Sequence, residues 1–411
     1  MKAVLYGAGN IGRGFLGQLF HQSGYELVFV DVVPAVIEKF NIDHSYPVNI
    51  VSDKEEKEIL ITGSRAVDGK VMSDVAEEIA TADIMSSSVG VNVLPYIIKP
   101  IAAGIKRRWE IGNDKPLNII IAENLLEADK YIKNLMKAEF TEEEYKKFLD
   151  TVGLVEASIG RMVPVVPEEA KAKNPLIVFV EPYCELPVDA GAFKGEVPDI
   201  VNLKPYSPFE FFIKRKLFIH NMSHATCSYL GALSGYVYTY ESMANPAIKL
   251  ICKNALQESA VALCKEYDFP LPELLNHADE LLFRFANHRL GDTVARCGKD
   301  PIRKLSNNDR LVGTAKSCLK NGVTPVYVAV GLAAGLLFEN IDDDSSLKVS
   351  AYTRANGVRA ALKEFSSIDE NIDIAGMEQF INLVETFYKL LIDGKGFNEV
   401  IAFADFVKFT A

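Results

Sequence analysis

From its second residue the chain reads KAVLYGAGNIGRGFLG, a short apolar strand pattern that breaks into glycines at positions 7, 9 and 12 and resumes as a helical pattern. A strand, a tight turn and a helix in that order need turn residues that tolerate unusual dihedrals and close approach, and G-x-G-x-x-G supplies them. Gly7 permits the turn, Gly9 lets a pyrophosphate reach the backbone, and Gly12 lets helix and strand pack closely. Ala8, Asn10 and Ile11 complete a turn whose free N–H groups, at a helix N-terminus, suit an anion. The next strand pattern ends FVDV, placing Asp31 about 20 residues beyond the last glycine. An acid there accepts from ribose hydroxyls and repels a 2′-phosphate. Strand, glycines, helix and acid together predict a dinucleotide site for NAD rather than NADP.

The pattern continues as an α/β alternation. ELVFVDV, ADIMSSSVG and LNIIIAEN read as further strands, each followed by a helical segment, as a parallel sheet with helical crossovers requires. GLVEASIGRMVP and LIVFVEPYCELPVD add β-rich runs. GEVPDIVNLKPYSP, with prolines at 198, 205 and 208, marks a domain junction. Beyond Phe209 nearly every segment carries helical periodicity. The expectation is an α/β fold: a Rossmann-like, doubly wound sheet domain with added β segments over residues 1–207, then an all-helical domain over residues 208–411.

At 411 residues, each domain has room for its own core. A formal net charge of -11 argues against nucleic acid or an anionic membrane as partner, and still permits an anionic small molecule held by a few local cations. The apolar run VYVAVGLAAGLLF (326–338) falls short of a bilayer span. The six cysteines show no CxxC spacing and read as reduced core or helix residues. The chain enters its first strand before any signal-like run, so a cytoplasmic setting is expected. The acidic segment ENIDDDSS (339–346) reads as a solvated turn. None of these features fixes an oligomeric state.

Two segments after the junction carry candidate chemistry. On a wheel of ~100° per residue with Lys216 of KRKLFIHNMSHA at zero, His220 falls near ~40°, His224 near ~80° and Asn221 near ~140°. Phe218, Ile219 and Met222 lie opposite. This polar stripe is rich in proton-exchanging groups, and reads either as a solvated face or as one turned to a ligand. His220 and His224 also have metal-ligand spacing, yet residue 221 is Asn, not Glu, and no third ligand stands out nearby, so no metal is expected. In DPIRKLSNNDRL, Ser306-x-x-Asp309 reads as a helix N-cap with Arg310 in the first turn, and Arg303 and Lys304 precede it. The cluster reads equally as an anion site or as internal salt bridges. Asn124 ends the strand LNIIIAEN, where ligands of open α/β sheets gather, and also where a turn begins. SSSVG (86–90) offers small residues for close approach of a cofactor, or merely a turn. DHSYP (43–47) reads as a loop of the cofactor domain.

The order and separation of KAVLYGAGNIGRGFLG, DHSYPVNIV, LNIIIAEN, KRKLFIHNMSHA and DPIRKLSNNDRL closely resemble the long-chain mannitol dehydrogenase family over essentially the whole length. The most specific piece is K-x4-N-x2-H, matched by Lys216, Asn221 and His224. The resemblance implies a metal-independent, NAD-dependent sugar-alcohol phosphate dehydrogenase that interconverts D-mannitol 1-phosphate and D-fructose 6-phosphate. Lys216 would be the general acid/base, Asn221 and Asn124 would hold the reacting oxygen, and His224 would orient the substrate or the lysine. It also moves Arg303 and Arg310 toward binding the sugar phosphate. A lysine in this role needs a pKa depressed by partial burial and nearby positive charge, for which Lys214, Arg215 and a protonated His220 are neighbours in sequence and a bound nicotinamide would add more. Two positions depart from the family pattern: Gly160 replaces an acid before Arg-x-Val-Pro, and NHRLGD (287–292) replaces an Asn-Pro-Tyr form. Alternatives are a relative acting on an unphosphorylated polyol or hexuronate, and an NAD-binding regulator without turnover.

Overall fold

The computed structural model describes residues 1–125, 127–164, 166–368 and 372–410. The chain forms two compact units, Met1–Phe212 and Ile213–Ala411. The first is built on a six-stranded sheet in the order Ser64–Asp68, Glu26–Asp31, Lys2–Tyr6, Ile84–Ser87, Leu117–Ile121, Val152–Glu156. Every neighbouring pair is parallel. By chain order among these six, this is 3-2-1-4-5-6, the doubly wound arrangement, with its switch point beside Lys2–Tyr6. Alternate residues feed two cores: Leu5, Leu27 and Phe29 point to one face, Val4, Val28 and Val30 to the other. Both faces are therefore covered, as an all-parallel sheet requires.

Two features of this unit differ from the sequence reading. Ser64–Asp68 is an edge strand of the main sheet that its polar sequence, SRAVD, concealed. The DHSYP segment is no loop: His44, with φ of 50°, caps the helix Pro34–Asp43, and Ser45–Val51 is a strand. It pairs antiparallel with Glu56–Thr62 and parallel with Val178–Val180. Tyr46 from this small sheet is buried and donates its hydroxyl to the Arg13 carbonyl (2.9 Å), clamping the helix that follows the glycines.

The second unit is helical among its described residues, with one isolated bridge between Tyr238 and Thr293. At its centre lies the helix Val326–Leu337, whose residues 326–336 are all buried. Its N-terminus is capped from the long helix Pro246–Tyr267: the buried Glu258 carboxylate accepts from the N–H groups of Tyr327 (3.0 Å) and Val328 (3.1 Å). Burial outweighs those hydrogen bonds and pushes the Glu258 carboxyl up to about 7. No described helix is long and apolar enough to cross a membrane.

Candidate active site

In the first unit the three fingerprint glycines do different work. Gly7 takes φ of +100°, and a Cβ there would sit 2.7 Å from the Ser88 carbonyl oxygen. A Cβ on Gly12 would lie 2.0 Å from the Gly7 carbonyl oxygen, so helix and strand meet only because position 12 has no side chain. At Gly9 a Cβ would meet nothing within 4 Å, and Gly9 and Asn10 are exposed. The space over the turn is open to a ligand. Ala8 is buried and Ile11 partly buried beneath it.

Asp31 is tied to this turn. Its Oδ2 accepts from the Ala8 N–H (2.8 Å), and its Oδ1 from the N–H groups of Val32 (2.8 Å) and Val33 (3.0 Å). A carboxylate has roughly four acceptor sites, so one remains for a hydroxyl donor. The exposed neighbours Val32 and Val33 bring no cation that would welcome a second phosphate. An open glycine cradle beside a carboxylate fits a dinucleotide with a free ribose diol.

Sequence reasoning missed Glu123. It is buried, and its carboxylate accepts from Val89 N–H (2.9 Å) and Gly90 N–H (2.8 Å), fastening the SSSVG turn. Only the sheet register, with Ser87 opposite Ile121, brings the two segments together. Asn124, the next residue, is exposed in the bend after the strand Leu117–Ile121. Of the departures from the family pattern, Gly160 faces the Tyr183 ring, 3.3 Å from a Cβ built on it. The adjacent Arg161 is a structural cross-tie, donating to the carbonyls of Glu181 (2.8 Å) and Gly14 (2.9 Å).

In the second unit, Arg215–Asn221 forms a π-turn between the helices Glu210–Lys214 and Met222–Leu233. The 100° wheel therefore fails here. An i→i+5 pattern stacks residues five apart, so Lys216 and Asn221, set ~140° apart by the wheel, come to one side of the helix. From Asn221 the α-helix resumes, and an i,i+3 step puts His224 on the same side. The spacing K-x4-N-x2-H is matched to this hybrid helix.

The turn has a visible cause. The Met222 N–H bonds to the carbonyls of Leu217 and Ile219 and skips that of Phe218. The Phe218 carbonyl accepts from the buried Ser259 hydroxyl (2.9 Å), and the Thr314 hydroxyl, whose shorter contact is to the Arg310 carbonyl, lies 3.4 Å from it. Removing both, as Ser259→Ala with Thr314→Val, takes away the side-chain donors to a buried carbonyl and should cost ~1–3 kcal/mol. The double variant should melt earlier and turn over more slowly, as Lys216 and Asn221 lose register. Unchanged melting and turnover would mean that the two hydroxyls do not hold the turn.

Lys216 is partly buried, and its ammonium pKa is lowered to about 8, first by desolvation and then by the Arg310 guanidinium. Burial and a nearby cation are the causes expected, but the cation is Arg310 and not a sequence neighbour. Lys214 is engaged with Glu266 (2.6 Å). His220 is buried and held neutral, its pKa pushed well below the usual range by burial and by Arg284. The Asn221 carboxamide is partly exposed and makes no hydrogen bond among the described residues. His224 stacks on Phe285, with ring centroids 4.7 Å apart.

Arg303 and Arg310 converge on one carboxylate. Asp309 accepts from Arg310 Nε (2.7 Å) and from Arg303 Nη1 (3.4 Å). Arg310 is buried and Arg303 half-exposed. The expected Ser306 cap does not form: the next helix begins at Val312, with Leu311 at its N-cap. Asp309 turns its side chain to the arginines, and residues 305–311 form successive turns. Lys304, next to Arg303 in that cluster, is buried against the Cys297 carbonyl. Burial and then Arg310 lower its pKa to about 7. The acidic segment 339–346 is more than a solvated turn. Asp343 is buried and accepts the Asp300 N–H (2.8 Å), while Ser345 Oγ accepts the Ile302 N–H (3.0 Å), pinning the Arg303 segment. All six cysteines are free, and four of them are buried.

Residues 1–202 match the family described as the mannitol dehydrogenase Rossmann domain, and residues 208–402 the mannitol dehydrogenase C-terminal domain. Among similar sequences, a mannitol-1-phosphate 5-dehydrogenase of Brevibacillus brevis is 36% identical over 89% of this chain and 91% of its own. One of Thermoanaerobacter pseudethanolicus is 35% identical over 95% of this chain and 100% of its own. In structure, a D-sorbitol dehydrogenase in substrate-free form aligns with a TM-score of 0.80 at 15% identity, over 96% of this chain and 94% of that one. Pseudomonas fluorescens mannitol 2-dehydrogenase, in ternary complex with NAD and D-mannitol, aligns at 0.70 and 14%, over 99% and 94%. At such identities these two likenesses speak for the fold alone.

Proposed function

The chain belongs to the mannitol dehydrogenase family, and on that footing we propose that it is an NAD-dependent oxidoreductase interconverting D-mannitol 1-phosphate and D-fructose 6-phosphate. The observation that carries the chemistry is Lys216: an ammonium lowered to about 8 on a π-turn that aligns it with Asn221 and His224. Gly7, Ala8, Gly9, Asn10, Ile11, Gly12 and Asp31 would hold NAD, which would supply or accept the hydride at C2 of the keto sugar. In reduction Lys216 gives its proton to the substrate oxygen; in oxidation the neutral amine takes it back. Asn221, with a carboxamide free to donate, stabilises the charge that develops on that oxygen. His224, its ring fixed against Phe285, orients the substrate or the lysine. Asn124 keeps the donor role that the family resemblance implies. Arg303 and Arg310 bind the phosphate, with buried Lys304 adding positive potential.

The test is NADH oxidation with fructose 6-phosphate, fructose and fructuronate side by side. Fructose 6-phosphate should give by far the highest kcat/KM. Preference for either unphosphorylated substrate would reassign the activity within the family, and no turnover with any would leave a binding protein. NADH should also greatly outperform NADPH, because the Asp31 carboxylate opposes a 2′-phosphate, and Asp31→Ser should narrow the gap. Equal efficiency with both cofactors would remove Asp31 from the ribose.

A further inference from the structure

Around His224 the second unit gathers two further ligand types, a carboxylate and a thiol, that hydride transfer does not use. One imidazole nitrogen of His224, a carboxylate oxygen of Asp292 and Cys297 Sγ all lie within 4.8 Å of one another. His224 Nε2 stands 3.5 Å from Asp292 Oδ2. That is long for a hydrogen bond. It matches the roughly 3.4 Å between neighbouring ligands that each sit about 2.0–2.1 Å from a tetrahedral zinc ion. Nε2 is buried and has no hydrogen-bond partner among the described residues. The set is also oriented. Phe285 fixes the imidazole plane, and Arg296 holds the other oxygen of Asp292. Asp292 and Cys297 are both buried.

The sequence hid this cluster, because Asp292 and Cys297 lie far downstream of the His220/His224 pair, and His220 takes no part in it. Imidazole, carboxylate and thiolate make a borderline-soft donor set that suits Zn²⁺ over Mg²⁺ or Ca²⁺. Two anionic ligands balance the charge of the ion, and the thiol proton leaves on binding. The neighbouring Arg296 and Lys304 weaken the field, which suits reversible occupancy over a permanent structural ion.

We propose that His224, Asp292 and Cys297 form a binding site for a thiophilic divalent cation, Zn²⁺ in the first place, and that occupancy inhibits turnover by withdrawing His224. The inhibitory half rests on the function proposed above; the binding half does not. Titrating chelator-treated protein with Co²⁺ should give one equivalent of a tetrahedral complex with a thiolate-to-cobalt charge-transfer band, displaced by Zn²⁺. Cys297→Ser should lose that band. Asp292→Asn should keep it with affinity weakened by more than the ~10–100-fold typical of losing a supporting contact. Zn²⁺ should abolish most fructose 6-phosphate reduction in the wild type, a chelator should restore it, and Cys297→Ser should resist. No stoichiometric band, or one that persists in Cys297→Ser and is unweakened in Asp292→Asn, overturns the site. Stoichiometric binding with full turnover overturns the inhibition. If fructose 6-phosphate is no substrate, the cobalt titration still decides the site by itself.

Discussion

Replacing Lys216 with alanine should remove most turnover, ~10²–10⁴-fold in kcat, while NADH affinity and the fold stay intact. In the proposed mechanism the proton that Lys216 moves is needed only at the reacting oxygen, so its loss would appear in the transition state and not in cofactor binding. The glycine turn and Asp31, proposed above to hold the cofactor, belong to the other unit. The fold tolerates the change because an ammonium whose pKa burial lowers to about 8 costs stability at neutral pH instead of adding to it. Small amines should restore part of the rate. Asn221→Ala should lower kcat through a lost donor to the oxyanion. His220→Ala is the control: that ring is buried and packed edge-on to Phe285 (5.6 Å), so its removal should lower stability more than chemistry. Near-normal turnover in Lys216→Ala would make the polar stripe a mere helix face.

Replacing Arg310 with alanine should weaken fructose 6-phosphate binding by about 1.5–3 kcal/mol, roughly 10–150-fold in KM, and should also raise the pKa of Lys216. The second effect follows because Arg310 is the charge that, after desolvation, holds the lysine down. Arg303→Ala should affect KM by a smaller factor and leave the pH profile alone, since Arg303 is half-exposed and Lys216 does not sense it. The competing reading is that Asp309 consumes both guanidinium groups as a structural cluster. In that case both variants lose melting temperature, bind the sugar phosphate normally, and the phosphate is held elsewhere.

The glycine turn proposed to hold the cofactor was legible because its determinants are local. A strand, three glycines at fixed spacing and an acid one strand later define one turn, and Asp31 does meet the Ala8 N–H. The sheet was nearly as plain, since both faces are buried and the strands read as apolar runs. The edge strand SRAVD escaped because an edge needs few apolar residues. The second unit was harder to read for a physical reason. A helical wheel presumes regular pitch, and the π-turn at Arg215–Asn221 depends on hydroxyls supplied by Ser259 and Thr314 from distant helices. Likewise, the charge that tunes Lys216 is Arg310, not its sequence neighbours Lys214 and Arg215. The partners of Asp309 and the gathering of Asp292 and Cys297 about His224 are tertiary facts with no local signature.

The most direct measurement is the pH dependence of kcat/KM in both directions, for wild type and Arg310→Ala. Reduction needs the Lys216 ammonium, so its rate should fall as pH rises through about 8; oxidation needs the free amine and should rise through the same value. In Arg310→Ala both inflections should move upward together, because the charge opposing the ammonium is gone. Profiles that share one direction, or inflections near 8 that stay put in the variant, would contradict Lys216 as the group that moves the proton.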